Sequence, residues 1–247
     1  MTDSAIRTCL PKRSSCTFPL DLYTVQLQQA NLSCLDLSGA DIGEAQLQQA
    51  NLFQARLCSA NLMGADLTFA DLSEANLSQA VLTSACLHEA NLSSSKLTNA
   101  NLRSARLQGA SLSGATLYRA NLTNTEMSGT NLCGSDLSHA TLLRTKLTGA
   151  NLANARISGA ILFEVDFSYV CLVGVDFSTF RGETLERFVC LTGATYDGTT
   201  RFPIEFDPIR SGLQKLGTPH CLPVDGLQQE SPIDIRTDST PNTAIAA

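Results

Sequence analysis

The sequence predicts an all-β solenoid. Three observations predict it: an unbroken five-residue period, a large apolar residue at the centre of each unit, and a small one two places earlier. Thirty-two units run from Leu20 to Thr179 without a slip in phase. The central residue falls at positions 22, 27, 32 and on to 177; it is Leu in twenty-seven units and Ile42, Met127, Ile157, Phe167 or Phe177 in the rest. Ala stands two places before it in twenty-one units, and Asn or Asp often fills the slot between, as in Ala60-Asn61-Leu62.

A period of five suits neither common element. In an α-helix five residues turn through about 500°, so a Leu stripe would drift by roughly 140° per unit and smear around the cylinder. Chains rich in Asn, Ser, Thr and Gly are also poor helix formers. In a flat strand Ala and Leu share a face within one unit, but the next Ala, three residues on, points to the other side. A corner in every unit removes the conflict. The chain runs extended for two or three residues, turns, and again points its small and large apolar residues inward. Gly at the last slot of nine units, among them Gly39, Gly109 and Gly174, supports a turn there, and Asn99, Asn124 and Asn154 take the same slot. Both residue types tolerate positive φ.

The unbroken tandem A-[DN]-L-x-x resembles the pentapeptide-repeat family over about two thirds of the chain. That resemblance implies a right-handed quadrilateral β-helix with four units per coil. Thirty-two units then make about eight coils, a rod roughly 38 Å long at the ~4.8 Å spacing of stacked strands. Inward Ala and Leu make a solid core. Burying each Leu contributes about 1.5–3 kcal/mol, while ordering each residue's backbone costs about 1–2 kcal/mol, so units are stable only when stacked.

Composition narrows the function. The chain has a net charge of −6, and the repeats carry 13 acidic and 8 basic residues. This disfavours non-specific binding to nucleic acid or an anionic membrane. No apolar run approaches a membrane span, and residues 1–20 lack the apolar core of a secretory signal. Nine cysteines with no C-x-x-C pair read as free thiols in a reducing cytoplasm.

With residues twenty apart stacked, the slot before the central residue forms four ladders. Two opposite faces are mostly Asn and Asp: Asp21, Asp41, Asn61, Asn101, Asn121 on one and Asn31, Asn51, Asp71, Asn91, Asn131, Asn151 on the other. The remaining faces alternate in sign, with Arg106, Glu126, Lys146, Asp166 on one and Asp36, Arg56, then Asp136, Arg156, Asp176 on the other. Opposite charges on neighbouring rungs favour correct register, so these ladders are expected to be structural. Outward apolar residues are scattered, as is normal. Leu143 and Phe163 stack on one face with Tyr169 at the next corner, and these three are the partner-binding candidates.

The ends of a solenoid need covering. Residues 1–19 are expected to be an N-terminal segment or cap, 20–180 the repeats, 181–221 a C-terminal cap, and 222–247 a disordered tail. Gly182–Val189 breaks the phase and reads as a short helix with Leu185, Phe188 and Val189 on its apolar side. Val189-Cys-Leu191 and Ala194-Thr-Tyr196 look like two further units, half a coil. Then follow Tyr196, Asp197, Thr200, Phe202, Pro203, Phe206, Asp207, Pro208, Gly212 and Leu213. Their spacing resembles a tail found after the coils of many cyanobacterial members of the family, which implies that origin and a structural lid.

The sequence offers little chemistry. His88, His139 and His220 have no zinc-ligand spacing. Asp136, Ser138 and His139 share one turn and cannot line up as a catalytic triad; Ser93 and Lys96 form a weak S-x-x-K match. No enzymatic activity, cofactor or metal is expected. A non-enzymatic interaction or scaffold protein with a protein partner is the first expectation. The alternative is a DNA mimic acting on DNA gyrase, a role that the resemblance implies for some members. This chain departs from those members in its nearly invariant central Leu, its uninterrupted coils and its mixed-sign ladders. Redox sensing is a third class. Cys133 and Cys171 share a face, but two rungs separate them by about 10 Å, too far for a disulfide.

Overall fold

The computed structural model describes residues 20–217. The N-terminal segment 1–19, the end of the expected cap and the tail 222–247 lie outside the described residues.

One unit explains the architecture. In Asn51–Ala55 every backbone amide has a partner. Asn51 donates to Ala30 O of the preceding coil at 2.9 Å, Leu52 to Asp71 O of the next at 2.7 Å, and Gln54 to Ser73 O at 3.0 Å. Ala55 donates back to Leu52 O at 2.9 Å and closes the corner. The fifth amide, of Phe53, donates to the Asn51 side chain at 3.0 Å. This is why the slot before the central Leu is so often Asn or Asp: its side chain takes the one amide that neither the neighbouring coil nor the turn can satisfy. The same bond recurs in units as distant as Asp21–Tyr23 and Asp176–Ser178.

Parallel bridges join residues twenty apart, from Asp21↔Asp41 through Lys146↔Asp166. Four units therefore make one coil, and four ladders run along the rod. Two rungs are long enough to form strands: β1 (Thr141–Leu143) pairs with β2 (Ile161–Phe163), Leu143 beside Phe163. The central Leu column and its Ala neighbours are buried from Leu22 to Leu172.

The turn slot keeps one backbone conformation whatever residue fills it. All nine of its glycines do adopt positive φ. So do 22 non-glycine residues, Thr24, Phe69 and Tyr169 among them. The two coil-to-coil bonds flanking each corner hold them in a region that L-residues disfavour by about 1–2 kcal/mol each.

At the C-terminal end the coil continues further than the half coil expected. Strand β3 (Val165–Asp166) is followed by helix α1 (Gly182–Phe188). Then β4 (Val189–Cys190) pairs with β3. The offset on this ladder rises from 20 to 24 residues because α1 is inserted. Bridges Cys171↔Thr195 and Asp176↔Arg201 carry two more ladders up one rung. The strand β5 (Thr195–Tyr196) then pairs with β6 (Gln214–Lys215), beginning another rung. On the fourth side, above β2, α1 takes the place of a unit. Its Leu185 is fully buried, and no side-chain bond caps its start at Arg181. The rungs at Arg201 and Gln214 left no mark in the sequence, because their offsets of 25 and 19 residues no longer match the period.

Candidate interaction surface

Three cations of the ladders each pair with one neighbouring carboxylate, as the alternating signs imply. Arg56 contacts Asp36 at 3.4 Å, Lys146 contacts Glu126 at 3.3 Å, and Arg156 contacts Asp136 at 3.9 Å. Arg201, beyond the period, extends the series to Asp176 at 3.9 Å. Several rung carboxylates are held below their usual range. Partial burial pushes the Asp66 carboxyl up, but Thr68, the Gln48 side chain and the charge of Arg106 outweigh it. Asp166 is lowered in the same way: burial opposes, and Ser168, Thr148 and Lys146 prevail. At Asp176 the hydrogen bonds of Ser178 are the largest influence, helped by Arg201.

The apolar candidates are brought together in part. Leu143 and Phe163 stand side by side across β1 and β2. Leu143 is half-buried, whereas Phe163 is 37% exposed. Tyr169 is 66% exposed round the corner, its ring lying so close to Gly193 that a Cβ there would meet it at 2.7 Å. Sequence reasoning missed Ile161, which is 55% exposed on the same strand as Phe163. It occupies the slot expected to be polar, and an isoleucine there was the available signal. Ile204 and Ile209 are also exposed, on loops after the repeats.

Most residues of the C-terminal motif make defined contacts. Tyr196 is buried in β5. Asp197 is also buried and accepts bonds from Thr199, which hold its carboxyl below the usual range. Thr200 donates to Leu172 O at 2.9 Å. Phe202 stacks on Phe177 with ring centroids 5.7 Å apart and on Phe206 at 5.2 Å, and meets Tyr196 edge-on at 5.3 Å. Pro203 O accepts the Phe206 amide, turning the chain so that Phe206 is buried. Asp207 accepts the amides of Ile209 and Arg210, and Leu213 donates to Pro208 O.

The scattered polar residues do not converge. The Ser138 amide donates to Asp136 at 2.9 Å, while the His139 ring meets Tyr118 edge-on at 5.5 Å. Ser93 and Lys96 belong to different ladders. Among the described residues no group of His, Cys, Asp or Glu is placed to hold a metal ion. A shallow cleft near Phe180, Arg181 and Pro203 brings together no catalytic constellation. The Cys190 thiol is lowered by Ser168, 3.1 Å away, and by Thr192. The cysteines correct the sequence-based expectation at one position. Five described cysteines are free, but Cys171 is disulfide-bonded.

A filled four-ladder solenoid whose variation lies in its outer slots defines a structural repeat protein. The chain belongs to the pentapeptide-repeat family: the model for pentapeptide repeats matches eight copies over residues 21–57, 60–99, 100–138 and 140–178. It is similar to the crystal structure of HetL, a pentapeptide-repeat protein involved in heterocyst differentiation regulation in the cyanobacterium Nostoc sp. strain PCC 7120. The identity is 28%, over 82% of this chain and 91% of HetL, with a TM-score of 0.65. That likeness makes the rod a right-handed β-helix. QnrB1, a plasmid-mediated fluoroquinolone resistance protein, matches at 23% identity over 80% of this chain and 90% of its own, with a TM-score of 0.48. Comparison with curated proteins gives no match. No helix among the described residues is long and apolar enough to cross a membrane.

Proposed function

We propose that this chain is a non-enzymatic interaction or scaffold protein whose protein partner docks at the C-terminal end of the rod, on Leu143, Phe163 and Tyr169. The carrying observation is the exposure of Phe163 and Tyr169 on a frame whose backbone is fixed coil to coil. Ile161 adds a third apolar side chain at the same height. Rigid aromatic anchors bind with little loss of conformational freedom. Members of the family are generally non-enzymatic, and the solid core supports the same role here.

The segment bearing Tyr196, Asp197, Phe202, Pro203, Phe206, Asp207 and Pro208 acts in this proposal as a structural lid. The aromatic stack on Phe177 supports it, and α1 closes the fourth side. The tail motif and the likeness to HetL support a cyanobacterial origin. A cytoplasmic location is part of the same proposal, although Cys171 is disulfide-bonded.

The test is affinity capture from a lysate of the source cells, with the wild type and a Phe163→Ser/Tyr169→Ser variant side by side. A partner retained by the wild type and lost by the variant is expected; equal retention by both sinks the assignment of this surface.

The alternative, a DNA-mimicking modulator of DNA gyrase, is disfavoured by the ladders. Arg56, Lys146, Arg156 and Arg201 each sit against a carboxylate and interrupt any continuous acidic stripe. A supercoiling assay with and without a quinolone decides it: no effect at micromolar protein eliminates the mimic.

A further inference from the structure

One face of the rod keeps its charges apart instead of pairing them. It is the ladder that runs from Asp21 through Val81 to Thr141. Its acids Asp21, Asp41 and Glu44 stand on the first two coils, and Arg103 projects from the fifth, with Arg119 at the edge beside Asn121. No acid follows Glu44 on this ladder or its corners until Glu164. Among the described residues none of these five charges takes part in an ion pair. Arg56, Lys146 and Arg156, by contrast, are neutralised within their own ladders. Between the acidic and basic ends lie Met63, 44% exposed, and the half-buried Val81, both in outward slots.

We propose that this face docks on the same face of a second copy of the chain, with the two rods antiparallel. A two-fold axis lying in the contact plane, across the rods between the third and fourth coils, sets the second coil against the fifth and the first against the sixth. Such an interface is self-complementary, and each slot meets its own kind. Arg103 then faces the slot of Gly43 in the second copy, between Asp41 and Glu44. Gly43 has no side chain, and the Tyr23 ring lies 3.0 Å from where its Cβ would be. A guanidinium placed there has two carboxylates and an aromatic face as partners. Arg119 faces the Asp21 end of the second copy. Met63 and Val81 of both copies close the centre, and excluding water there strengthens the flanking pairs. Rods side by side in the same direction would set acids against acids and Arg103 against Arg103, so the antiparallel arrangement is the complementary one.

The six overlapping coils span about 29 Å. Leu143 and Phe163 stand on the seventh and eighth coils of the same ladder, beyond the overlap. The dimer therefore presents that apolar surface twice, at opposite ends, and a partner with two binding sites gains avidity from it. The dimer itself does not rest on that surface. Its charged contacts are exposed at the rim, so salt weakens them: the screening length falls from about 10 Å at 0.1 M to about 3 Å at 1 M.

The test is sedimentation equilibrium of the full-length chain and of two charge-reversed variants, Arg103→Glu and Glu44→Arg. Both residues are exposed, and circular dichroism checks that each variant keeps the fold. The wild type should dimerise reversibly at low salt, with a dissociation constant at least about tenfold higher in 1 M salt. Each variant alone should be monomeric, because like charges then oppose one another twice in every dimer. Mixed in equal amounts, the two variants should recover the dimer: the retained Arg103 of one meets the retained Glu44 of the other, and the two reversed residues meet each other. A wild type that stays monomeric at high micromolar concentration overturns the proposal. So does a dimer that the reversals leave intact, or a mixture that associates no better than its components.

Discussion

Five hydroxyl residues replace Ala in the inner slot, and the bonding of their oxygens separates them. Ser95, Thr125, Thr130, Ser135 and Thr145 are all fully buried. The three threonines donate to carbonyls of the preceding coil: Thr125 to Leu102 O at 3.0 Å, Thr130 to Leu107 O at 3.0 Å, and Thr145 to Leu122 O at 2.8 Å. The Ser95 and Ser135 hydroxyls have no partner. An unmatched buried hydroxyl costs about 1–3 kcal/mol, whereas a satisfied one contributes about 1 kcal/mol. Ser95→Ala should therefore raise stability by about 1 kcal/mol, and Thr145→Val should lower it by a similar amount. Urea melts of the two variants check this, and a Ser95→Ala protein weaker than wild type refutes the unmatched hydroxyl. The corner slot makes a matching case. Ser104 is exposed at φ +59, and Ser104→Gly should gain roughly 0.5–1 kcal/mol once the entropy of the freer unfolded chain is subtracted. At Gly174 the reverse holds, because a Cβ would overlap the Asn154 side chain as well as strain the backbone. Gly174→Ala should cost at least as much as Ser104→Gly gains, read by the same melts.

At the scale of elements, the repeats were legible in the sequence and the last rungs were not. A period of five with Leu and Ala in fixed slots admits little but a coil with a corner per unit. Asn and Asp before the central residue were visible as a preference, but their bond to the backbone amide was not, because it depends on the corner's geometry. The end became illegible where α1 entered. Gly182–Phe188 was readable as a helix and the stretches at Val189 and Thr195 as two further units, yet the bridge to Arg201 spans 25 residues, and nothing in the composition fixes that offset. The candidate surface was half legible for the same reason. Leu143 and Phe163 lie twenty apart and had to meet, whereas the burial of Ala153 and Val173 leaves no mark on the repeat. The aromatic column at this end replaces the Leu column: Phe167, Phe177, Phe202 and Phe206 succeed one another with centroids 5.2–6.4 Å apart. Truncating a buried Phe costs about 3–5 kcal/mol. Phe202 is half-buried, so Phe202→Ala should cost somewhat less, about 2–3 kcal/mol. Hydrogen exchange should place the loss in the last coils and leave Leu62–Leu102 protected, since each rung contacts only its neighbours. Uniform deprotection along the whole rod refutes a local lid.

For the whole molecule, nearest-neighbour stacking makes the charged ladders a device for register. Sliding one coil by a unit would exchange the faces, setting Leu against Leu again but breaking the sequence of paired signs. Each exposed pair contributes only about 0–1 kcal/mol, so register rests on their sum, together with the Asn and Asp turns. This gives the rod a defined acid response. The carboxyls of Asp66, Asp166 and Asp176 are lower in the folded rod than in an unfolded chain. A group lowered on folding adds stability that is complete above its unfolded value, near 4, and disappears as pH falls through the folded value. Stability should therefore be level from neutral pH down to about 5 and fall steeply below about 4. The signature is in the variants. Asp66→Asn keeps an acceptor for the Thr68 amide but cannot titrate, so its loss of stability at neutral pH should shrink as the wild type is acidified. Thermal melts of both proteins from pH 7 to pH 3 read this directly, and curves that stay parallel across that range would show that the Asp66 carboxylate contributes nothing beyond its geometry.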